Sequence, residues 1–500
     1  MAALAALLLG IATVFGFAPF GAWALPVLTL AALFALMRGA SSPRDAAWIG
    51  FAFGVGLFGA GASWVYVALS TFGEMPASLA AIATVCFCAY LALFPAAVGW
   101  FCARLAPPGS GLRLALAVPA WTLAEWLRSW LLSGFPWLSV GYSERTAALA
   151  GYAPLGGVFL VSFAIAAAAA LLVELTLAIE AQRWPGAVIV IAAFGGIAIG
   201  GVVLSSIEWS RPAGDAIAVS LVQGNIEQDV KFDPAYRTSS LETYAELVAK
   251  AKGRLVVLPE SALPMFADEV PAEYVARLRE SLRTHRADLL LGLFFFEPRG
   301  SADEDDRYFN SVVSIGSSTT QVYRKHHLVP FGETIPAKPV FGWFIRSVLH
   351  IPLADQTPGP AYQEPFMVAG ERVAVNICYE DAFGSEINRG LPEATLLVNV
   401  TNDAWYKRSL AAEQHEQIAA MRALETARPM LRATNTGITS IIDHRGVEIA
   451  RLPWFTRGVL EGSIAGRTGT TPYVRFGDAL VVIVALVAIV VLALLARRRT

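Results

Sequence analysis

The sequence predicts two parts of different fold class: a multi-span α-helical membrane domain and an α/β layered domain. Two observations predict this division. Over the whole chain 55% of residues are hydrophobic and 16% are charged, whereas about 25% are charged in a typical globular protein. The charged residues are also unevenly spread, with 13 before residue 207 and 62 between 207 and 478. We therefore expect a membrane domain over 1–206, a soluble domain over 207–478, and a last span with a basic tail over 479–500.

The membrane domain is predicted from the lengths of its apolar stretches. A spanning helix needs about 20 mostly apolar residues, because the hydrocarbon core is about 30 Å thick and each residue rises about 1.5 Å. Seven such stretches precede the soluble domain and one follows it, which predicts eight transmembrane helices at about 3–17, 20–37, 46–69, 77–103, 112–132, 149–178, 186–206 and 479–496. The first stretch lacks a basic flank, which favours a retained helix over a cleaved signal peptide.

The orientation follows from the arginines in the short loops, since basic residues near helix ends favour the cytoplasmic side. With the N-terminus inside, eight arginines lie on the cytoplasmic side and two outside: Arg38, Arg44, Arg104, Arg113, Arg183, Arg497, Arg498 and Arg499 against Arg128 and Arg145. Both termini are then cytoplasmic, and the soluble domain lies in a bacterial periplasm or its equivalent. The net charge of −2 gives no excess of positive charge to attract nucleic acid. We therefore do not expect nucleic acid as a partner.

Two ionisable residues stand near the end of the fifth predicted span. Glu125 and Arg128 are three residues apart, just before Ser133-Gly-Phe-Pro-Trp137 interrupts the helical pattern. An ionisable residue inside a membrane indicates a functional site by default. The alternative, which we favour, is an i, i+3 ion pair at the membrane interface.

The soluble domain alternates short β-rich runs with helical patterns. Its continuous apolar runs are typical of strands covered on both faces, which favours an α/β layered fold. Strands are predicted at 216–223, 254–259, 288–295, 311–315, 372–378, 395–400 and 438–442, and helices at 234–251, 271–284 and 410–427. The segment 331–360 is rich in Gly, Pro and aromatic residues and indicates a long functional loop.

Cys378 is the single cysteine of the predicted soluble domain, because the other three lie in a predicted span. It therefore has no partner for an intradomain disulfide, and it is either an inert buried side chain or a thiol kept for chemistry. It ends the apolar run Val373–Ile377 and is followed by Tyr379. A nucleophile at a strand end, followed by a turn, can combine attack with backbone N–H donors for an oxyanion. This position favours the chemical interpretation.

Two further strand ends carry matching groups. Glu260 follows the run Val256-Val-Leu-Pro, and Lys325 follows Val322-Tyr-Arg. A thiol needs a base to become a thiolate, and the carbonyl that it attacks needs positive charge near its oxygen. Glu260 suits the first task if partial burial raises its pKa, and Lys325 suits the second. A capping glutamate and a solvated lysine remain the ordinary alternatives.

These residues resemble the motifs of the nitrilase, or carbon–nitrogen hydrolase, superfamily. The matching segments are Leu258-Pro-Glu260-Ser, Tyr323-Arg-Lys325 and Asn376-Ile-Cys378-Tyr-Glu380. With seven predicted spans before the domain and one after it, the whole chain resembles the apolipoprotein N-acyltransferase family. Further matches are Val222-Gln-Gly-Asn225, His327-Leu-Val-Pro-Phe-Gly-Glu333, Asn399-Val-Thr-Asn-Asp-Ala-Trp405 and Met421-Arg-Ala-Leu-Glu-Thr-Ala-Arg428. The resemblance implies an α-β-β-α layered, nitrilase-like fold for the soluble domain.

The resemblance also implies a ping-pong acyl transfer that completes bacterial lipoprotein maturation. Cys378 would take an acyl chain from a phospholipid, typically phosphatidylethanolamine, and the α-amine of diacylglyceryl-cysteine in an apolipoprotein would attack the thioester. Glu260 would be the general base, and Lys325 with the N–H after Cys378 would hold the oxyanion. The family's supporting positions are matched by Glu333, Tyr379 and Glu380. No metal or diffusible cofactor is implied.

A lipid entrance is implied at the 133–137 break and in the 331–360 loop. Five aromatic residues are candidates for it: Phe232, Phe341, Trp343, Phe344 and Trp137. Family members often have Trp where this chain has Phe232, so an aromatic wall is kept without the indole. The histidines, His326, His327 and His415, are expected to have supporting or surface roles.

Two rival functions remain at this stage. The first is a membrane-tethered amidase, although one span would suffice as a tether. The second is a transporter or lipid-binding protein with an inactive domain, although the first 206 residues contain no Lys, no His and few charges. Neither rival requires Glu260, Lys325 and Cys378 together with eight spans. The acyltransferase is therefore the favoured hypothesis.

Overall fold

The computed structural model describes residues 1–298, 306–316, 319–335 and 355–497. We call residues 1–205 together with 479–497 the helical part, and residues 210–469 the α/β domain. The main helices of the helical part are Ala2–Thr13, Ala24–Gly39, Pro43–Gly61, Ala77–Leu105, Gly111–Arg128, Ala153–Glu180, Trp184–Ser205 and Ala479–Arg497.

The prediction of a multi-span helical part is confirmed, but the number of eight spans is not. Among the described residues four helices are long and apolar enough to cross a membrane, and Pro43–Gly61 with Val65–Phe72, which meet at 57°, make a fifth. The helices Ala2–Gly16 and Ala24–Gly39 are apolar but shorter. Gly111–Arg128 contains three charged residues. The predicted first, second and fifth spans therefore differ from simple apolar rods in length or in charge.

Close contact between helices depends on glycine at two positions. A Cβ atom at Gly10 would lie 2.1 Å from the Phe53 carbonyl oxygen, and one at Gly56 would lie 2.1 Å from the Leu7 carbonyl oxygen. Small residues allow helix backbones to approach in a membrane, where packing drives association. Ala2–Thr13 therefore packs directly against Pro43–Gly61.

The α/β domain is built on two six-stranded sheets. One has the strand order β13-β2-β3-β4-β5-β6 and the other β12-β11-β10-β9-β8-β7, while β1 and β14 form a separate antiparallel pair. The strands are β1 Ser210–Pro212, β2 Ile217–Gln223, β3 Leu255–Val257, β4 Asp288–Glu297, β5 Arg307–Ile315, β6 Val322–Arg324, β7 Phe366–Val368, β8 Glu371–Ile377, β9 Leu396–Thr401, β10 Met430–Thr434, β11 Ser440–Ile442, β12 Glu448–Arg451, β13 Gly458–Ile464 and β14 Arg467–Gly469.

The two sheets pack face to face and are covered by helices on their outer faces. Leu221 and Val257 of one sheet meet Val375 and Val398 of the other in a shared core. The helices Arg237–Lys250 and Ala272–Arg283 cover the first sheet, and Ala411–Thr426 covers the second. The predicted α-β-β-α layering is therefore confirmed.

The Ala411–Thr426 helix, which we call the junction helix, is buried along nearly its whole length. Ala419 and Ala420 pack on the second sheet, while Ile418 and Met421 belong to the core of the helical part. Its polar residues bond the helical part too, as Glu416 pairs with Arg145 at 2.8 Å. The junction helix is thus shared between the two parts.

Gln414 of the junction helix makes three bonds into the helical part. Its Oε1 accepts from Trp64 Nε1 at 3.1 Å and from Trp137 Nε1 at 2.9 Å. Its Nε2 donates to the Gly61 carbonyl at 3.1 Å. All of these atoms are buried, so the amide satisfies groups that no water reaches.

Glu125 and Arg128 are enclosed rather than exposed at an interface. Glu125 accepts from Trp121 Nε1 at 3.1 Å and from Val140 N at 2.9 Å. Arg128 donates to the carbonyls of Phe135 and Trp137, the latter at 2.7 Å. The favoured interpretation, an ion pair at the membrane interface, is therefore wrong. The two side chains instead bond the backbone and an indole around the 133–140 break, and they fix the conformation of this break.

Replacing Gln414 by Leu should lower the midpoint of thermal unfolding in detergent. Leucine leaves the Trp137 indole N–H without its acceptor, and a buried polar group without a partner costs about 1–3 kcal/mol. Gln414→Glu keeps the acceptor for both indoles, so its midpoint should lie between those of Gln414→Leu and the wild type. An unchanged midpoint in Gln414→Leu would contradict this account of the junction helix.

Candidate active site

Three strand ends of the α/β domain meet at one place. Glu260 lies just after β3, Lys325 directly after β6, and Cys378 directly after β8. The first two come from one sheet and the third from the other. Lys325 Nζ lies 3.5 Å from Glu260 Oε1, and the charges of both act on the Cys378 thiol. The structure therefore brings together the three side chains that were predicted from their positions at strand ends.

Glu333 and Asn310 fix the carboxylate and the ammonium relative to each other. Lys325 Nζ lies 2.7 Å from Glu333 Oε1, and Asn310 Nδ2 donates to Glu260 Oε1 at 2.7 Å. Although burial lowers the pKa of Lys325, the carboxylates of Glu333 and Glu260 raise it well above its usual value. Lys325 is therefore a permanent cation in a site where it is 1% exposed.

Cys378 is held in a strained backbone conformation. Its φ is +53°, in the left-handed region that non-glycine residues rarely adopt, and a short 3-10 helix, Cys378–Ala382, begins there. Burial and the negative charge of Glu260 raise the pKa of the thiol well above its usual value, against the charge of Lys325. At neutral pH the sulfur is therefore protonated, and a base must take its proton as it attacks.

Lys231 is a second lysine of the site, and it was not among the residues predicted from the sequence. Its Nζ donates to the Glu260 carbonyl at 3.1 Å, and the residue is 1% exposed. Burial lowers its pKa to about 8, while the charges of Glu260 and Cys378 act in the opposite direction. In the sequence it is one lysine before Phe232, and no spacing signal marked it. Phe232 itself is half-exposed.

Glu380 connects the segment that carries Lys325 to the strand that carries Cys378. Its carboxylate accepts from Ile377 N at 2.6 Å, His326 N at 2.7 Å and Tyr323 Oη at 3.0 Å. Two of these donors are chain neighbours of Cys378 and Lys325, respectively. The distance between the thiol and the ammonium thus depends on one buried carboxylate.

Tyr379 links the strand end that carries Cys378 to the helical part. Its hydroxyl donates to the Gly134 carbonyl at 2.7 Å, and its ring stacks on Trp137 at 6.1 Å between centroids. Trp137, proposed from sequence as a lipid-entrance residue, is 3% exposed. Of the other candidates for that entrance, Phe341, Trp343 and Phe344 lie outside the described residues.

The arrangement suits acyl transfer through a covalent intermediate. A thiol, a nearby carboxylate and a buried ammonium are the groups that can serve as a nucleophile, a base and a positive charge for an oxyanion. Within the described ranges no three His, Cys, Asp or Glu side chains are grouped so that they could hold a metal ion.

Comparisons with known proteins show which family the chain belongs to. A family model described as "Apolipoprotein N-acyltransferase N-terminal domain" matches residues 9–171, and one described as "Carbon-nitrogen hydrolase" matches residues 218–473. The chain is 48% identical to an apolipoprotein N-acyltransferase of Nitrosomonas europaea, over 98% of this chain and 96% of the relative. It is 43% identical to that of Methylococcus capsulatus, over 95% and 93% of the two chains. For Ralstonia nicotianae the identity is 44%, over 99% and 93%.

Replacing Glu380 by Gln should slow the reaction of the Cys378 thiol and destabilise the fold. The amide puts an NH₂ group among donors, so at least one buried N–H or hydroxyl loses its acceptor, at about 1–3 kcal/mol. We expect a lower unfolding midpoint and a lower rate of thiol modification by an acylating reagent. Glu364→Gln, at an exposed position, is the control and should leave both unchanged. Equal values for the two variants would refute the linking role of Glu380.

Proposed function

The chain belongs to the apolipoprotein N-acyltransferase family, and we propose that it transfers an acyl chain from a phospholipid to apolipoproteins. The donor is typically phosphatidylethanolamine, and the acceptor is the N-terminal α-amine of a diacylglyceryl-cysteine. The observation that carries this proposal is the meeting of Glu260, Lys325 and Cys378 directly beside the helical part. The transfer has two halves and passes through a thioester on Cys378.

In the first half the thiol attacks the ester carbonyl of the phospholipid. Glu260 takes the thiol proton as the bond from sulfur to carbon forms, which is necessary because the resting thiol is protonated. The carbonyl oxygen becomes negative and is stabilised by the Lys325 ammonium and the Tyr379 N–H. The carbon–oxygen bond to the glycerol then breaks, and Glu260 returns the proton to the departing lysophospholipid oxygen.

In the second half the α-amine of the apolipoprotein attacks the thioester. Glu260 takes a proton from the amine as the carbon–nitrogen bond forms, and the same two donors hold the oxyanion. The carbon–sulfur bond breaks, and the sulfur recovers its proton from Glu260. The product is an N-acylated lipoprotein, and the free thiol is ready for another donor.

The helical part keeps the proposed reaction next to the membrane. Each CH₂ group of an acyl chain exposed to water costs about 0.8 kcal/mol, so a site far from the membrane would lose most of its substrate binding. The contact of Tyr379 with Gly134 and Trp137 keeps Cys378 next to the helical part. Excluding water there also protects the thioester from hydrolysis. A lipid entrance formed by Phe232, Phe341, Trp343, Phe344 and Trp137 belongs to this proposal.

The proposed location is the bacterial inner membrane, with eight spans, a periplasmic α/β domain and both termini in the cytoplasm. It is supported by the eight arginines of the predicted cytoplasmic side against two outside. The shorter helices Ala2–Gly16 and Ala24–Gly39 would complete the eight spans together with Gly111–Arg128 and the longer helices.

Incubation of the detergent-purified protein with phosphatidylethanolamine should add the mass of one acyl chain to the peptide that contains Cys378. The adduct should be released by hydroxylamine, as a thioester is, and be absent in Cys378→Ala. Cys86→Ala, which removes an exposed thiol of the helical part, should keep it. A folded wild-type protein without any adduct would exclude the acyltransferase and favour a tethered amidase.

The orientation can be tested with single engineered cysteines in a background that carries both Cys86→Ala and Cys378→Ala, because either native thiol could itself react with a maleimide. Asp215→Cys, at an exposed position of the α/β domain, should react with a membrane-impermeant maleimide in intact spheroplasts. Glu180→Cys, exposed at the end of a membrane helix, should react only after the membrane is opened. The reverse pattern would show that the α/β domain is cytoplasmic.

A further inference from the structure

Four ionisable side chains are buried behind Cys378, and the mechanism given above uses none of them. Asp381, Asp403, His415 and Arg432 are each at most 3% exposed. They come from the turn after β8, the turn after β9, the junction helix and β10, respectively. Burying four such groups is costly unless each has partners of opposite charge.

The four side chains alternate in charge around a closed ring. His415 Nδ1 lies 2.9 Å from Asp403 Oδ1, and His415 Nε2 lies 2.9 Å from Asp381 Oδ1. Arg432 closes the ring with contacts to Asp381 Oδ2 at 3.1 Å and to Asp403 Oδ2 at 3.0 Å. Two carboxylates and two cations cancel, which makes the burial of the group tolerable.

The geometry requires a proton on each nitrogen of His415. Both nitrogens face carboxylate oxygens, which accept hydrogen bonds and donate none when ionised. The electrostatics agree, because Asp381 and Asp403 raise the pKa of His415 to about 9 although burial and Arg432 lower it. Burial raises the pKa of Asp403, yet Arg432 and His415 hold it below its usual value. The side chain of His415 is therefore an imidazolium at neutral pH.

This imidazolium also touches the backbone of the nucleophile. His415 Nε2 lies 3.2 Å from the Cys378 carbonyl oxygen, and Asn399 Nδ2 donates to the same oxygen at 3.1 Å. Asn399 is itself oriented by Arg432, whose Nη1 donates to its Oδ1 at 2.6 Å. Two donors, both fixed by the ring of charges, thus hold this one carbonyl.

Holding the carbonyl also sets the direction of the next N–H. The carbonyl of Cys378 and the N–H of Tyr379 belong to one planar trans peptide, in which they point in opposite directions. The left-handed φ of Cys378 is strained and persists only where surrounding contacts enforce it. The two bonds to the carbonyl are contacts of this kind.

We propose that His415 is a positioning residue for the acyl transfer: its doubly protonated ring fixes the Cys378 carbonyl and so aims the Tyr379 N–H at the oxyanion. The inference rests on the proposed function, since the oxyanion belongs to that reaction. It goes beyond it by giving a task to a histidine that neither attacks nor exchanges a proton with the substrate.

The test compares the wild type with His415→Gln, using phosphatidylethanolamine labelled with ¹³C at the acyl carbonyls. The imidazolium donates hydrogen bonds from two opposite nitrogens, and the single NH₂ group of glutamine cannot replace both. The Cys378 carbonyl then loses a donor, and the Tyr379 N–H loses its fixed direction. We expect acyl-enzyme formation to slow by about 10- to 100-fold, toward the loss seen when an oxyanion donor is removed, with KM for the phospholipid unchanged. The infrared band of the labelled thioester carbonyl should move to higher frequency, because it accepts a weaker hydrogen bond.

His444→Gln is the matched control, since His444 pairs with Glu208 at 3.3 Å, away from the ring of charges. It should keep the wild-type rate and band position. The proposed function fails if no thioester adduct forms on the wild-type protein. The positioning role of His415 is tested separately, by comparing the variants with a wild type that does form the thioester. A folded His415→Gln protein with the wild-type rate and an unshifted band overturns the positioning role.

Asp403→Asn is a second test of the positioning role of His415, and it decides whether that role holds if His415→Gln does not fold. The groups facing His415 are Asp381, Asp403, Arg432 and the Cys378 carbonyl, so this variant removes one of two negative charges. The folded pKa of His415, about 9, lies above the unfolded value of about 6.5. The stabilisation by its proton is therefore complete below about 6.5 and is lost as the pH rises through about 9.

In Asp403→Asn the alkaline fall of the acylation rate should consequently begin at lower pH than in the wild type. Lys231, whose pKa is about 8, is present in both proteins, so its titration does not distinguish the two profiles. Removing the Asp403 charge lowers the pKa of both His415 and the Cys378 thiol, and of these two changes only the earlier loss of the His415 proton slows acylation. An alkaline fall at the same pH in both proteins overturns the inference.

Discussion

The burial of the junction helix between the second sheet and the helical part is the constraint on which the rest of the structure depends. Three consecutive residues show why. Gln414 bonds the indoles of Trp64 and Trp137, His415 bonds two carboxylates behind Cys378, and Glu416 pairs with Arg145. Successive residues of a helix point about 100° apart, so one turn serves both parts of the molecule. Separating the parts would leave buried polar groups without partners on both sides.

The charged groups around the thiol also depend on specific partners. Lys325 is kept charged by Glu333 and Glu260, while Cys378 is kept protonated by burial and by Glu260. The site therefore holds positive charge where the oxyanion of the proposed reaction would form, and a neutral sulfur near a carboxylate. A preorganised site of this kind needs little rearrangement as negative charge develops. Glu380 and the ring of charges around His415 hold the two backbones that carry these groups.

The sequence predicts the interior of the α/β domain better than its edges, for a physical reason. All seven predicted strands and three predicted helices occur, with ends shifted by a few residues, because buried strands read as continuous apolar runs. Strand β6 has three residues, and β12 has two apolar residues between a charged residue at each end, so neither gives such a run. The meeting of Glu260, Lys325 and Cys378 was predictable from residue type at strand ends. Lys231 and His415 were not, since their partners are distant in sequence or are backbone atoms.

The helical part was harder to predict because its breaks are as important as its apolar lengths. Non-helical backbone within a membrane is tolerated only where the freed N–H and C=O groups find partners. Here the α/β domain supplies them: Gln417 accepts from Ala18 N, Tyr379 donates to the Gly134 carbonyl, and Glu425 accepts from Val158 N. Hydropathy records none of these bonds, and it reads the stretch 149–178 as one span although the backbone is non-helical at Gly156 and Gly157. The breaks that obscure the count of spans are the places where the α/β domain is attached.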